Sequence, residues 1–236
     1  MLLKDILAPI SETIFMYRGV KSYKLVHVTG RNSDIYKDVV NDTIIDQYLR
    51  KTKSKKRVDL TIGERYIFKE MVGGWIDGDP VEIKTIKAYK QHIENGHAAI
   101  IKDIGRFGDE GRELHELIKD IDRLFNSNFS LWCNVYASNK NRALPPHTDG
   151  DSIIVLQYEG SREWDFFGLV TDWRTNKPVE KITINQGDFL YFPKWAPHVA
   201  AEVTHKTGHM TFQIPTHLDR NATCPEGWEC VPSAKD

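Results

Sequence analysis

The segment IIVLQYEGSREWDFF, residues 153–167, decides the fold class of this chain. An apolar run, Ile153–Tyr158, leads into a Glu-Gly turn, and polar and apolar residues then alternate from Arg162 onward. Two runs of this kind on either side of a glycine turn are typical of adjacent antiparallel strands. We therefore predict a β-hairpin here.

The same texture continues on both sides of this hairpin. Short runs rich in β-branched and aromatic residues recur between clusters of Gly, Pro, Asn and Asp, at Leu131–Ala137, Ile182–Ile184, Phe189–Phe192 and Met210–Ile214. Regularly spaced short strands indicate a β-sandwich or a β-barrel. We predict that residues 129–216 form such a β core.

The N-terminal half has a mixed pattern. Apolar residues recur at helical spacing in Ser33–Leu49, Ile86–Asn95 and Leu114–Phe125, and strands are predicted at Tyr23–Val28 and Ala98–Ile101. No linker separates this half from the β core. We predict one mainly β domain over residues 1–236, with an α/β N-terminal region at 1–128, the core at 129–216 and a tail at 217–236.

Composition excludes several classes of function. The formal net charge of -1 gives no reason to expect direct nucleic-acid binding or an anionic membrane surface as partner. Three cysteines, an odd number, favour a reducing compartment, so we expect a soluble cytoplasmic protein. The basic run Arg50–Arg57 is either a solvated loop or, alternatively, a nuclear address or docking patch.

The motif Pro146-His147-Thr148-Asp149 carries two candidate metal ligands. Residues two apart on an extended segment point to the same face, so His147 and Asp149 can share one ion. Two imidazoles and one carboxylate, with open positions left over, select non-haem Fe(II) in oxygenases. The alternative is a loop histidine that caps a turn.

A third ligand is expected at His198. The turn Gly187-Asp188 precedes the strand Phe189–Phe192, and Pro197-His198 follows in the next turn. We expect this turn at the partner end of the barrel and not on a neighbouring strand. His205 and His209 are alternatives that lack this context, and His209 begins a strand on which it shares a face with Thr211 and Gln213.

Arg162 is a candidate anion-binding residue one hairpin away from His147. A fixed guanidinium that faces into a barrel can hold a carboxylate through two parallel hydrogen bonds. The alternative is a surface residue that pairs with Glu159 or Glu163.

Taken in order, four motifs resemble the JmjC-type, cupin-like 2-oxoglutarate oxygenases, in particular the group that contains the ribosomal oxygenases. The motifs are LPPHTD at 144–149, VLQYEGSREW at 155–164, GDFLYFP at 187–193 and PH at 197–198. The resemblance covers approximately residues 129–216. Ribosomal oxygenases also carry a C-terminal winged-helix region, which we expect this chain to lack, because only residues 217–236 follow the barrel.

The resemblance implies a double-stranded β-helix, or jelly roll, that holds Fe(II) through His147, Asp149 and His198. It also implies that 2-oxoglutarate and O2 are cosubstrates. The residues expected to contact 2-oxoglutarate are Arg162, Asn134, Tyr136 and Thr211, with Gln213 on the same strand. For the tail, Cys224–Cys230, we expect packing on the barrel and not a zinc site.

The implied reaction is hydroxylation of a protein or peptide side chain, with succinate and CO2 as coproducts. Three alternatives remain at this point. The first is a 2-oxoglutarate oxygenase acting on a free amino acid or other small molecule, and the second is a cupin enzyme that uses another divalent metal. The third is a cupin-like module that binds a ligand without catalysis.

Overall fold

The structure is a computed structural model. It describes residues 25–30, 33–34, 36, 39–51, 58–62, 65–67, 74–76, 79–81, 85–102, 104, 112–124, 132–140, 144, 146–167, 177–194, 196–201 and 203–214. The predicted tail and most of the basic run lie outside these residues. Among the described residues, no helix is long and apolar enough to cross a membrane.

Three helices and thirteen strands make up the described part of the chain. The helices are α1 (Asp42–Lys51), α2 (Ile86–Glu94) and α3 (Arg112–Leu124). The strands of the N-terminal region are β1 (Val26–Val28), β2 (Val58–Ile62), β3 (Arg65–Ile67), β4 (Gly74–Ile76), β5 (Asp79–Val81) and β6 (Ala98–Ile101). The later strands are β7 (Trp132–Ser138), β8 (Ser152–Glu159), β9 (Ser161–Phe166), β10 (Glu180–Asn185), β11 (Phe189–Phe192), β12 (His198–Ala200) and β13 (Thr207–Ile214).

The strands form two main antiparallel sheets. The major sheet has the order β1-β11-β8-β13-β7-β6-β2-β3, and the minor sheet has the order β10-β9-β12. The chain passes from the major sheet to the minor sheet at Gly160, whose φ of 65° suits a tight reversal. The predicted β-hairpin across this turn is therefore wrong, because β8 pairs with β11 and β13, whereas β9 pairs with β10 and β12. The two-sheet arrangement confirms the predicted mainly β fold of double-stranded β-helix type. The small hairpin β4-β5 stands apart from both sheets.

Most predicted elements are present, but the start of one helix and the position of His198 differ from the prediction. Helix α1 begins at Asp42 and not at Ser33, because the Asn41 side chain accepts a hydrogen bond from the Ile44 amide at 3.1 Å and so caps the helix there. The prediction that His198 lies in a turn is wrong, because His198 is the first residue of strand β12.

Alternation along the strands divides the core in two. On β13, Met210, Phe212 and Ile214 pack into a cluster with the helices, whereas His209 and Thr211 face the space between the two sheets. On β8, Ile154 and Leu156 join the helical cluster, and Ile153 and Val155 pack against the minor sheet. Strand β8 is therefore buried on both faces, which explains its continuous apolar sequence.

Asp188 ties the edge strand β1 to the turn before β11. Its carboxylate accepts hydrogen bonds from the amides of Gly30 and Asn185, each at 2.8 Å. His27 Nε2 lies 3.1 Å from the same carboxylate. Gly30 fits closely here, since a Cβ at this residue would lie 2.1 Å from the Gly187 carbonyl oxygen. The turn that precedes β11 therefore depends on the Asp188 carboxylate and on the absence of a side chain at Gly30.

We expect Gly30→Ala to destabilise the fold by about 1–3 kcal/mol, because the new methyl group meets backbone that cannot rotate away. Thermal unfolding followed by circular dichroism, without added metal, measures this. Gly150→Ala is the matched control, since a Cβ there has open space within 4 Å. Equal melting temperatures for the two variants would contradict the close contact between Gly30 and Gly187.

Candidate active site

A cavity of about 370 Å³ lies between the two sheets. Strands β6, β7 and β13 of the major sheet form one wall, and Trp164, His198 and Ala200 of the minor sheet form the opposite wall. The register aligns the residues of the first wall in rows. Tyr136 stands between Ile100 and His209, and Asn134 stands opposite Thr211. The cavity therefore has a polar wall supplied by the side chains that alternate away from the helices.

The three predicted metal ligands come together at this cavity. Asp149 Oδ1 lies 4.0 Å from His147 Nε2, and Asp149 Oδ2 lies 3.5 Å from His198 Nε2. One ligand atom from each residue can be chosen so that all lie within 4.8 Å of one another. Among the residues that the structure describes, His147, Asp149 and His198 form the one group of His, Cys, Asp and Glu side chains whose spacing suits a metal ion.

His147 and His198 are direct neighbours through the backbone. The His147 amide donates to the His198 carbonyl at 3.0 Å, and the His198 amide donates to the His147 carbonyl at 2.9 Å. This antiparallel bridge places their rings 4.5 Å apart. The expectation that His198 lies at the far end of the barrel is therefore wrong, because β12 runs beside the segment that carries His147.

His198 is held in the state that a metal ligand needs. Its Nδ1 lies 2.8 Å from the Ala196 carbonyl oxygen, so the ring proton sits on Nδ1 and the lone pair on Nε2 faces Asp149. Burial, reinforced by the nearby His147 ring, lowers the pKa of His198 to about 3, so the imidazole is neutral at pH 7. The sequence did not reveal this partner, because it is a backbone carbonyl.

Asp149 is poised to bind a cation. Burial raises the pKa of its carboxyl group, although His147 opposes that shift. A bound divalent ion would offset the cost of burying the carboxylate. Two imidazoles and this carboxylate therefore fit a transition-metal ion, with coordination positions left for other ligands.

Arg162 lies inside the barrel. Its side chain is 1% exposed, and its Nε and Nη2 donate to the Ala201 carbonyl at 3.0 and 2.9 Å. Nη1 donates to Ser138 Oγ at 3.0 Å. The alternative of a surface ion pair is wrong, since Glu159 and Glu163 pair instead with lysines. Arg162 is not among the described residues that line the cavity, although Trp164, the next inward residue of β9, is.

The other predicted cosubstrate residues, Asn134, Tyr136, Thr211 and Gln213, all line the cavity. Several lining residues lie outside the predicted set, among them His209 and Lys102. The sequence offers His209 as an alternative metal ligand, and its alternation with Thr211 and Gln213 is the signal that it faces the same space. Lys102 carries a comparable signal, since it continues the alternation of Ile100 beyond the end of β6.

A JmjC domain family model matches residues 112–221. Ribosomal oxygenase 2 of Bos taurus is 31% identical over 119 residues, which is 43% of this chain and 25% of that protein. The bifunctional lysine-specific demethylase and histidyl-hydroxylase NO66 of Drosophila grimshawi is 24% identical over 238 residues, which is 89% of this chain and 30% of that protein. The chain thus spans about a quarter to a third of the length of these relatives.

Solved structures share the fold. The Escherichia coli ribosomal oxygenase YcfD, in complex with cobalt and 2-oxoglutarate, superposes with a TM-score of 0.56 at 13% identity. The match covers 95% of this chain and 61% of YcfD. The complex of YcfD with cobalt and succinic acid gives the same TM-score at 14% identity. At this identity the likeness establishes the double-stranded β-helix fold.

We expect Asp149→Ala to weaken Mn²⁺ binding by at least about tenfold, because it removes the charged ligand of the group. Isothermal titration calorimetry of Mn²⁺ into metal-free protein measures this. Asp151→Ala is the matched control, as it removes a nearby carboxylate that is not part of the ligand group. Equal affinities for the two variants would rule out Asp149 as a ligand.

Proposed function

We propose that this protein is an Fe(II)- and 2-oxoglutarate-dependent oxygenase of the JmjC type, because a JmjC domain family model matches residues 112–221. The reaction we propose converts a substrate C–H group, O2 and 2-oxoglutarate into the hydroxylated product, succinate and CO2. The observation that carries the proposal is the convergence of His147, Asp149 and His198 at the cavity. That ligand set with open positions is the one that selects Fe(II) in oxygenases.

His147, Asp149 and His198 would hold the metal, which when bound supplies the activation of O2 coupled to decarboxylation of the 2-oxo acid. The protein's own part is positional. The Ala196 carbonyl keeps the His198 lone pair directed at the site. Ile153, Phe192 and Trp164 give the cavity apolar walls that exclude water around the reacting groups.

Arg162 supports a dicarboxylate as cosubstrate. Burial lowers the pKa of its guanidinium to about 10, so it keeps its positive charge at pH 7. A buried cation is stabilised by an anionic partner. We infer that the far carboxylate of 2-oxoglutarate approaches Arg162, with Asn134, Tyr136 and Thr211 along the cavity wall.

The class of substrate is inferred from exposure and from relatives. His147 and Asp149 are 31% and 26% exposed, whereas His198 is 3% exposed, so the site opens on the side of the first two residues. A side chain can enter there while its backbone stays outside. The relatives' names include a ribosomal oxygenase and a histidyl-hydroxylase, which supports a protein or peptide side chain as substrate.

We also infer where the protein resides and how far its domain extends. We infer a cytoplasmic protein, because three cysteines in 236 residues favour a reducing compartment, and Cys133 is a buried free thiol. We treat residues 1–236 as one domain, since α2 packs on β6 of the same sheet that carries β7 and β8.

We expect Fe(II) and 2-oxoglutarate, added together without oxygen, to give a weak visible charge-transfer band, because the 2-oxo acid chelates the metal. Anaerobic absorption spectroscopy measures it, and Fe(II) alone is the control. Metal-loaded protein that never shows the band would exclude 2-oxoglutarate as a cosubstrate. A cupin enzyme with another metal, or a binding module, would then be the better account.

We expect Arg162→Met to raise the Kd for 2-oxoglutarate by about tenfold or more, with Mn²⁺ affinity unchanged, because the variant loses the cation but keeps the packing. Lys181→Met is the matched control, since Lys181 pairs with Glu163 and Asp165 on the outward face of β9. Calorimetry of Mn²⁺ into metal-free protein and of 2-oxoglutarate into Mn²⁺-loaded protein measures the two constants. The same loss in both variants, or in neither, would contradict the role of Arg162.

We expect products that carry one added oxygen atom when candidate peptides are incubated with the protein, Fe(II) and 2-oxoglutarate. Mass spectrometry detects them, and omission of 2-oxoglutarate is the control. Oxygen gain on free amino acids or other small molecules, with none on peptides, would replace the proposed substrate class by the small-molecule alternative.

A further inference from the structure

Two side chains in the cavity wall bury ring nitrogens that have no hydrogen-bond partner among the described residues. They are Trp164 Nε1 and His209 Nδ1. Both residues line the cavity, and their rings meet edge to face with centroids 5.3 Å apart. Buried polar atoms in folded proteins nearly always have partners, so two unpartnered nitrogens side by side call for an explanation.

The two rings are held firmly. His209 stacks on Tyr136, with centroids 4.7 Å apart and planes only 8° from parallel. Trp164 packs against Phe192 at 5.7 Å and against His198 at 5.8 Å. Neither ring can turn toward another acceptor without losing this packing. The nitrogens are therefore positioned before any ligand arrives, which is the property expected of a recognition site.

These rings connect the candidate metal ligands to the interior. The His198 ring contacts the Trp164 ring, which contacts the His209 ring, which contacts the Tyr136 ring. A ligand that binds the metal through one end and extends along this wall meets Trp164 first and His209 next. Both unpartnered nitrogens belong to rings on this wall.

The charge of this inner end favours an anion. An indole N–H can only donate a hydrogen bond. Burial first, and the nearby Arg162 second, hold the pKa of His209 well below its usual value, so its ring is neutral and carries one N–H donor. Arg162 adds a positive charge beside that ring. With the His209 proton on Nδ1, the tautomer that a carboxylate partner selects, the two rings offer two donors next to a guanidinium and match a carboxylate, which has only acceptor atoms.

We propose that Trp164 and His209 are specificity-determining residues that donate hydrogen bonds to the far carboxylate of 2-oxoglutarate, together with the charge of Arg162. This inference rests on the proposed function and adds two residues to it. Its consequence is selectivity: these donors favour a 2-oxo acid with a second carboxylate over one that ends in a methyl group. An apolar terminus would leave both nitrogens buried and unpartnered.

The test compares two ligands on the Mn²⁺-loaded protein by isothermal titration calorimetry. One ligand is 2-oxoglutarate, and the other is 2-oxopentanoate, which has the same metal-binding end and a methyl group in place of the far carboxylate. Trp164→Phe removes the indole N–H and keeps a ring, and His209→Phe removes both ring nitrogens and keeps the stack on Tyr136. Ile184→Val, a buried change in the same sheet that removes no polar atom, is the control.

We expect each aromatic variant to bind 2-oxoglutarate about tenfold or more weakly, the loss typical of a hydrogen bond to a charged group. Binding of 2-oxopentanoate should stay within about twofold of wild type, and Ile184→Val should change neither. His209→Asn places an amide near the lost Nδ1 and should recover most of the affinity. Melting curves confirm that each variant is folded.

Three results would overturn the proposal. Unchanged 2-oxoglutarate affinity in both variants would show that the nitrogens do not contact the ligand. Equal losses for both ligands would show that the rings act only through packing. Wild-type protein that binds Mn²⁺ but not 2-oxoglutarate would overturn the proposed function itself, and with it this inference. Binding of 2-oxoglutarate to the wild type therefore distinguishes a failure of this inference from a failure of the proposed function.

Discussion

The reciprocal pair of backbone hydrogen bonds between His147 and His198 is the constraint on which the rest of the site depends. It joins the segment before β8 to the first residue of β12. The loop between β7 and β8 is thereby attached to the minor sheet. Asp149 follows two residues later on the same segment and is brought within 3.5 Å of His198 Nε2. Without this bridge, His198 would belong to a different part of the fold from His147 and Asp149. With it, His198 meets a pair of ligands that lies 49 or more positions earlier in the sequence.

Strand alternation surrounds these ligands with a cavity that is lined by two chemically different sets of groups. Strand β13 gives Met210 and Phe212 to the helical core and His209 and Thr211 to the cavity. Strand β9 places Arg162, Trp164 and Phe166 on its buried face and leaves Glu163 to pair with Lys181 outside. The cavity thus presents the three metal ligands and the ring nitrogens of Trp164 and His209, and the buried cation Arg162 lies near the His209 ring. The proposed 2-oxo dicarboxylate would bind both sets of groups at once.

The sequence predicted the parts of this fold that local pattern controls. The run Ile153–Tyr158 is apolar throughout because β8 is buried on both faces, and α3 has apolar residues at helical spacing because one side packs on the sheet. The start of α1 was misjudged, because periodicity says nothing about where the Asn41 side chain caps the backbone. Strand β12 has only three residues, too few to show a period, so His198 was assigned to a turn.

The sequence could not show which groups contact one another across the fold. The Ala196 carbonyl that orients His198 and the unpartnered nitrogen of His209 depend on register, which no local pattern encodes. The alternation that places Thr211 at the cavity also applies to His209, which lies two positions earlier on β13 and faces the same space.

The central claim is that one cavity holds a metal at His147, Asp149 and His198 and a dicarboxylate that extends from it toward Arg162. Crystals grown anaerobically with Mn²⁺ and 2-oxoglutarate, measured at the manganese absorption edge, test it most directly. Our account predicts an anomalous peak bonded to those three side chains, with the far carboxylate beside Trp164 and His209. A manganese peak held by other residues, or a 2-oxoglutarate molecule outside this cavity, would contradict it.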